Sequence, residues 1–279
     1  MLDHDETADV LSDDDFDRVA SFILSACGIC LPPTKKVMVE GRLRRRARRI
    51  GIGRLSDYLR LVFDTDGGGN EVIGLIDTLT TNKTDFFREP AHFTFLNRII
   101  LPELAQTGRE AKLWSAACSI GAEPYTMAMV CNDFALGWPG FHYSILASDI
   151  STEVLATAAR AVYPEEMIEP VPLPMRQRYV LRATDPSRKV VRMAPETRAP
   201  VRFARINLVD DRYAADRDMD VIFCRNLLIY FDRGTQDMVV RQLCGHLRPG
   251  GYLILGHTDS ISGMTAPVQS CGNSIFRRK

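Results

Sequence analysis

Three short stretches join ionisable residues to apolar runs in a way that could do chemistry. The first is Ser119-Ile120-Gly121-Ala122-Glu123-Pro124-Tyr125, directly behind the apolar run 112–118. A single glycine lets the backbone approach a ligand, but G-x-G-x-x-G, the cradle of a dinucleotide pyrophosphate, is missing, and NAD is disfavoured on that ground. A cofactor carrying an amino acid fits better, with Glu123 facing its ammonium; equally, Glu123 could do no more than favour the positive start of a helix, worth about 0.3–1 kcal/mol. The second is Leu146-Ala147-Ser148-Asp149-Ile150. An acidic residue ending a second strand is placed to bind two ribose hydroxyls, although a lone aspartate can also be only a helix cap. The third is Arg225-Asn226, with Tyr230 past an apolar turn, directly behind Val221-Ile222-Phe223-Cys224. A charge behind a buried strand is costly unless paired. A binding site would meet that constraint, and so would an internal salt bridge.

Those residues must be held by elements the sequence also implies. From Lys112 onward, strands alternate with helices: a strand over 112–118, a helix over 124–134, a strand over 143–148 and a helix over 152–161. A doubly covered strand over 220–224, a helix over 235–247, a turn at Pro249-Gly250-Gly251, a strand over 252–256 and a last edge strand over 274–278 complete the pattern. This grammar predicts a doubly wound α/β sheet, whose ligands sit beyond the carboxyl ends of the strands. Between Tyr163 and Asn207 it breaks. Val190–Met193 and Val201–Ala204 look like short strands around Pro195 and Pro200, and predict a small antiparallel insertion over about 164–206. The first 80 residues read as helices: one capped by Asp13 or Asp14 and ended by Pro32-Pro33, one stopped by Gly51, one from Ser56 to the run Gly67-Gly68-Gly69, and one through Leu79. A polar linker over 81–90 joins this helical domain to the domain 91–279.

With 46% hydrophobic and 25% charged residues the chain can build a core, and its formal net charge of zero argues against a general nucleic-acid or membrane binder. The average hides an acidic first stretch (Asp3, Asp5, Glu6, Asp9, Asp13) followed by a basic block in which Arg42, Arg45, Arg46 and Arg49 fall at i, i+3, i+4 and i+7, one helix face opposite Leu43, Ala47 and Ile50. Such a stripe is usually a solvated face and is also an RNA-binding signal. Seven scattered cysteines read as reduced thiols, so the expected place is the cytoplasm. No apolar run approaches a membrane span, and the start is acidic where a signal peptide would be basic. Cys27-Gly28-Ile29-Cys30 lacks a second pair and the five histidines show no ligand spacing, so no metal is assigned.

In order along the chain, Thr81-Asn82-Lys83-Thr84-Asp85-Phe86-Phe87-Arg88-Glu89, Trp114 to Tyr125, Ala147-Ser148-Asp149-Ile150, Phe223-Cys224-Arg225-Asn226-Leu227-Leu228-Ile229-Tyr230-Phe231, and Leu247-Arg248-Pro249-Gly250-Gly251 running into Gly256-His257 resemble the motifs of CheR-type chemotaxis receptor methyltransferases. The resemblance covers nearly the whole chain, basic helix included. It implies a Rossmann-like class I methyltransferase domain behind an all-α domain, with S-adenosylmethionine as cofactor and S-adenosylhomocysteine as product. By resemblance, Asn82, Thr84 and Arg88 close over the cofactor, Glu123 holds the methionine ammonium beside Gly121, and Asp149 holds the ribose. Asn207-Leu208 lie along the adenine, and Arg225-Asn226 beside the cofactor. Arg88 and Tyr230 stand nearest the transferred methyl. One departure is Ala122, where the family usually has a first glutamate.

The activity so implied is methyl transfer to glutamate carboxylates of a receptor's cytoplasmic helical bundle. That nucleophile is ionised at neutral pH, so orienting and drying it matter more than a general base. The basic stripe becomes the receptor-facing surface of a monomer that binds neither nucleic acid nor the membrane interior. Leu181 to Arg188 contains no glycine, which implies independence from a C-terminal receptor tether. Two rivals stay open: a methyltransferase of the same fold acting on RNA or a small molecule, and a cofactor-binding regulatory protein without turnover.

Overall fold

The computed structural model describes residues 9–65, 69–185 and 187–279. Of the residues read above, Asp3, Asp5, Glu6, Gly67, Gly68 and Pro186 lie outside them. The chain divides into two compact units, with the boundary between Thr81 and Asn82.

The first unit carries helices α1 (Asp13–Cys27), α2 (Lys36–Arg49), α3 (Leu55–Asp64) and α4 (Gly69–Leu79). The first helix is capped by Ser12, whose hydroxyl accepts from the Asp15 N–H, so the aspartates of the first turn favour the dipole rather than capping. It ends at Gly28 (φ 71°), before the two prolines. Helix α3 begins at Leu55 rather than at Ser56, and the Asp9 carboxylate accepts from the backbone N–H groups of Leu55 (2.6 Å) and Ser56 (3.4 Å) at its start. Val19, Val39, Leu43, Tyr58 and Leu75 fill the core between the helices.

The second unit is built on a seven-stranded sheet in the order β6-β2-β1-β7-β8-β10-β9. Its strands are β1 (Ala111–Ala116), β2 (Tyr143–Asp149), β6 (Val201–Arg205), β7 (Met219–Cys224), β8 (Leu247–Leu255), β9 (Val268–Gly272) and β10 (Ile275–Arg278). The pairs from β6 to β8 are parallel, while β10 pairs antiparallel with both β8 and β9. Helices α7 (Ala122–Gly137), α8 (Thr152–Arg160) and α11 (Arg233–His246) connect the strands, and α5 (Pro90–Phe95) and α6 (Leu101–Ala105), joined by a π-helical turn, precede them. The chain winds outward from β1 through β2 to β6, then returns to β7 and winds the other way. The order therefore reverses between β1 and β7, the switch point where such sheets bind ligands.

Two expectations are corrected. Val201–Arg205 is not part of the antiparallel insertion: it lies parallel to β2 in the main sheet. Its mixed burial is that of an outer strand, which the sequence does not distinguish from a half-buried antiparallel one. The insertion is instead the three-stranded sheet β3-β5-β4, formed by β3 (Val162–Pro164), β4 (Val180–Arg182) and β5 (Val190–Met193), with α9 (Leu173–Tyr179) before β4 and α10 (Pro195–Arg198) after β5. Nor is the last strand the edge, because β9 lies outside it.

Candidate functional site

The strand ends at the switch point carry backbone that a random loop would avoid. Behind β1, Ala117 (φ 63°) and Ser119 (φ 51°) are left-handed, and Gly121 has φ 92°. A Cβ on Gly121 would also stand 2.9 Å from the Ala158 methyl and 3.0 Å from the Tyr163 hydroxyl, so only glycine fits this turn into α7. Behind β7, Asn226 is left-handed too (φ 57°). Gly256, at the end of β8, lets that residue approach: a Cβ there would be 2.7 Å from the Asn226 nitrogen.

Glu123, in the first turn of α7, accepts from the Ser115 hydroxyl (2.7 Å) and from Arg225 Nη1 (3.0 Å). Burial pushes its carboxyl above the usual range despite those two partners. Arg225, with 2% of its side chain exposed, also reaches Glu89 Oε2 (3.2 Å) and donates from Nη2 to the Arg88 carbonyl (2.5 Å). The internal ion pair that could have explained this arginine therefore exists, and it is made with residues of the same rim. Asp149 is 6% exposed; its carboxylate accepts from the Ser119 N–H (2.8 Å) and the Ser151 N–H (3.0 Å). Ser119 in turn donates its hydroxyl to the Asn82 carbonyl (2.8 Å), which ties the segment 82–88 to the loop behind β1. The Ile206 N–H donates to the Asp149 carbonyl (3.1 Å), bringing Asn207 and Leu208 beside the same strand end. Asn207 contacts Asp210 (2.9 Å), and the Leu208 carbonyl accepts from the Tyr213 hydroxyl (2.6 Å). Arg88 donates to the Lys83 carbonyl (3.0 Å). Thr84 is half-buried in the same segment, and Tyr230 is half-buried on the 3₁₀ turn Leu228–Tyr230 behind Asn226.

Sequence reasoning gave no role to two acids that the fold brings in. Asp259 accepts from the backbone N–H groups of Asn226 (2.5 Å) and Gly256 (2.9 Å), and burial raises its pKa. Glu89 accepts from the Asn226 amide (3.1 Å). Burial alone would raise its carboxyl, but Asn226 and Arg225 outweigh burial and lower it. Glu89 was visible in the motif Phe-Phe-Arg-Glu, whereas nothing local marks Asp259. The fold also gathers Glu89, His92 and His257, whose ligand atoms lie within 4.8 Å of one another, a grouping that spacing along the chain could not reveal. Glu89 Oε2 already meets Arg225 and the His257 N–H (3.2 Å), so a dication would have to compete with a guanidinium for that oxygen.

The basic stripe divides. Arg45 and Arg49 are exposed, as is Arg48, which lies outside the stripe on the same helix. Arg46 forms a two-pronged pair with Glu71 (2.7 and 2.8 Å), which also accepts from the Tyr58 hydroxyl (2.9 Å). Arg42 donates to the Leu79 (2.9 Å) and Thr80 (2.8 Å) carbonyls at the end of α4. Ala122 is fully buried in an apolar cluster with Phe86, Tyr125 and Tyr163, so the departure from the family pattern falls in the core.

These residues suit a ligand with an amino-acid end and a sugar diol. A buried carboxylate whose ionisation burial opposes favours a cationic partner, and a strand-end aspartate favours hydroxyl donors. The comparisons with known proteins agree. The family model described as "CheR methyltransferase, SAM binding domain" matches residues 82–276, and "CheR methyltransferase, all-alpha domain" matches residues 14–80. A chemotaxis protein methyltransferase of Klebsiella aerogenes is 38% identical, covering 95% of this chain and 90% of its own. One of Escherichia coli is 37% identical over 95% and 91%, and chemotaxis protein methyltransferase 2 of Pseudomonas aeruginosa is 36% identical over 94% and 92%. With family models matching both domains and relatives of 36–38% identity covering more than nine tenths of the chain, the chain belongs to the CheR methyltransferase family.

Proposed function

We propose that the chain transfers the methyl group of S-adenosylmethionine to glutamate side chains on the cytoplasmic helical bundle of chemotaxis receptors, giving glutamyl methyl esters and S-adenosylhomocysteine. The observation that carries this reading is the convergence of Glu123, Asp149, Arg225 and Asn226 on one rim, with Arg88 and Tyr230 on segments tied to it. Bound there, the cofactor supplies an electrophilic sulfonium methyl. Glu123 holds the cationic amino end, and Asp149, anchored by two backbone donors, takes the ribose hydroxyls. Asn82 and Thr84 close the near side, and Asn207-Leu208 flank the base. Arg88 and Tyr230 orient the acceptor carboxylate and exclude water from it; the carboxylate is already ionised, so orientation and drying are the work required. The exposed Arg45, Arg48 and Arg49 meet the acidic receptor surface. The enzyme acts as a cytoplasmic monomer, and the glycine-free segment after Leu181 supports action without a receptor tether.

The test is to incubate the full chain with methyl-labelled cofactor and either receptor bundle or RNA. Base-labile label on the receptor is expected; label on RNA, or none on either, overturns the reading. Arg88→Ala and Tyr230→Phe should each lose most turnover, and full turnover with normal cofactor binding in both would remove them from the mechanism.

A further inference from the structure

We propose that Glu89 is a positioning residue for cofactor binding, clamping Arg225 and Asn226 into the geometry in which they receive the cofactor; this rests on the assignment of those two residues to the cofactor site. Glu89 has φ 56°, the left-handed region that residues with a Cβ avoid. It also precedes Pro90, and a proline pushes the residue before it toward extended backbone. Strain of this kind persists where the surroundings over-determine it, and functional sites are where it clusters.

The side chain shows what the strain achieves. Glu89 occupies the N-cap position of α5, yet its carboxylate makes no cap bond. It turns to the strand ends instead. Oε1 accepts from the Asn226 amide (3.1 Å), and Oε2 lies against Arg225 Nη2 (3.2 Å) and the His257 N–H (3.2 Å). One carboxylate thus joins the loops behind β7 and β8 to the residue following Arg88. Arg225 closes the loop back by donating to the Arg88 carbonyl.

The neighbouring histidine keeps this carboxylate committed to its strand-end partners. His92 is fully buried, and its Nε2 stands 2.8 Å from the Asn273 carbonyl, which can only accept. Nε2 therefore carries the proton. Burial and the nearby Arg225 favour the neutral ring, so Nδ1 presents a lone pair 3.4 Å from Glu89 Oε2, without a hydrogen-bond partner among the described residues. Two acceptors facing each other gain nothing, and the carboxylate finds its donors at Arg225, Asn226 and the His257 backbone. Arg225 has a second carboxylate in Glu123, so neutralising Glu89 does not strand a buried cation.

The experiment is Glu89→Gln in the full chain, which keeps shape and one acceptor but removes the charge. Dissociation of S-adenosylhomocysteine is measured by calorimetry, and KM for the cofactor and kcat by receptor methylation. The dissociation constant and the cofactor KM should rise about tenfold, as for loss of one charge-assisted contact, with kcat at saturating cofactor within threefold of wild type. Glu89→Ala should show the same rise, and formate should partly reverse it, which a purely structural defect would not allow. Wild-type affinity in Glu89→Gln, a fall in kcat at unchanged KM, or no response of Glu89→Ala to formate would overturn the assignment. Should Glu89→Gln fail to fold, the formate response decides. A wild-type chain that binds S-adenosylhomocysteine but leaves receptor unlabelled would instead count against the proposed substrate, while the binding constants still test Glu89.

Discussion

In the proposed site Glu123 faces the cofactor's ammonium, and its environment makes a pH prediction. Burial raises its carboxyl above 4.5, so the folded, ligand-free protein disfavours its ionised form. A carboxylate raised in this way costs folding stability once the pH passes upward through its unfolded value, and the cost is absent below it. An ammonium placed against it reverses the preference and makes binding release a proton. Affinity for S-adenosylhomocysteine should therefore fall as the pH drops through the window above 4.5, and Glu123→Gln should bind about tenfold more weakly with that dependence flattened. Asp259 is raised by burial too and titrates in the same direction, so Asp259→Asn serves as the control that should leave most of the slope. Calorimetry across pH 4.5–7.5 reads both, and a wild-type affinity flat over that range would exclude Glu123 as the ammonium partner. At this scale the sequence was informative where a residue follows a strand. Glu123, Asp149 and Arg225 could be placed because the sheet dictates where a strand-end side chain points. Asp259 could not: its place behind Asn226 depends on a loop crossing that no local pattern encodes.

The helix α2 shows how an element sorts residues of one type. At about 100° per residue Arg46 lies only about 60° from Leu43, while Arg45 lies about 160° away. Arg46 therefore stands at the border of the buried stripe and is drawn into the pair with Glu71 beneath Tyr58, whereas Arg45 faces solvent. Gly74 on α4 has the same origin, since a methyl group there would collide with the Arg46 guanidinium. The stripe was legible as arginines at helical spacing; its division was not, because it depends on which neighbour supplies a carboxylate. Arg46→Ala leaves Glu71 largely buried without its cation and should lower stability by roughly 2–4 kcal/mol, read as a fall in the denaturation midpoint. Arg45→Glu with Arg48→Glu should change stability by less than about 1 kcal/mol. The same double variant should lower receptor kcat/KM about tenfold with S-adenosylhomocysteine affinity unchanged, since electrostatic steering sets encounter rates. Equal losses of receptor turnover and cofactor binding would show that this face does not serve the receptor. The misassigned β6 has a related cause: its parallel partner β2 is more than fifty residues away, and alternation within five residues cannot say which sheet a strand joins.

On the scale of the whole molecule, the net charge of zero conceals local differences, because near the basic helix several acids are paired while three of its arginines remain on the surface. Asp9 is spent on α3 and Arg44, Asp13 pairs with Lys36, and Glu71 neutralises Arg46, while Arg45, Arg48 and Arg49 stay exposed. The protein therefore presents a local positive field that its average conceals, and salt should separate its two binding events. Raising ionic strength from about 0.01 M to about 0.15 M shortens the screening length from about 30 Å to about 8 Å. A receptor approaching an exposed basic face feels that change, and kcat/KM for receptor methylation should fall about tenfold or more. In the proposed site the cofactor would meet the largely buried Glu123 and Asp149 at contact distance, where screening is weak, so its dissociation constant should move less than about twofold. Arg45→Glu with Arg48→Glu should flatten the receptor dependence and leave the cofactor term as it was. Parallel slopes for receptor and cofactor, or a receptor rate indifferent to salt in the unaltered chain, would mean that the exposed arginines are solvated bystanders and that the receptor is selected at the rim itself.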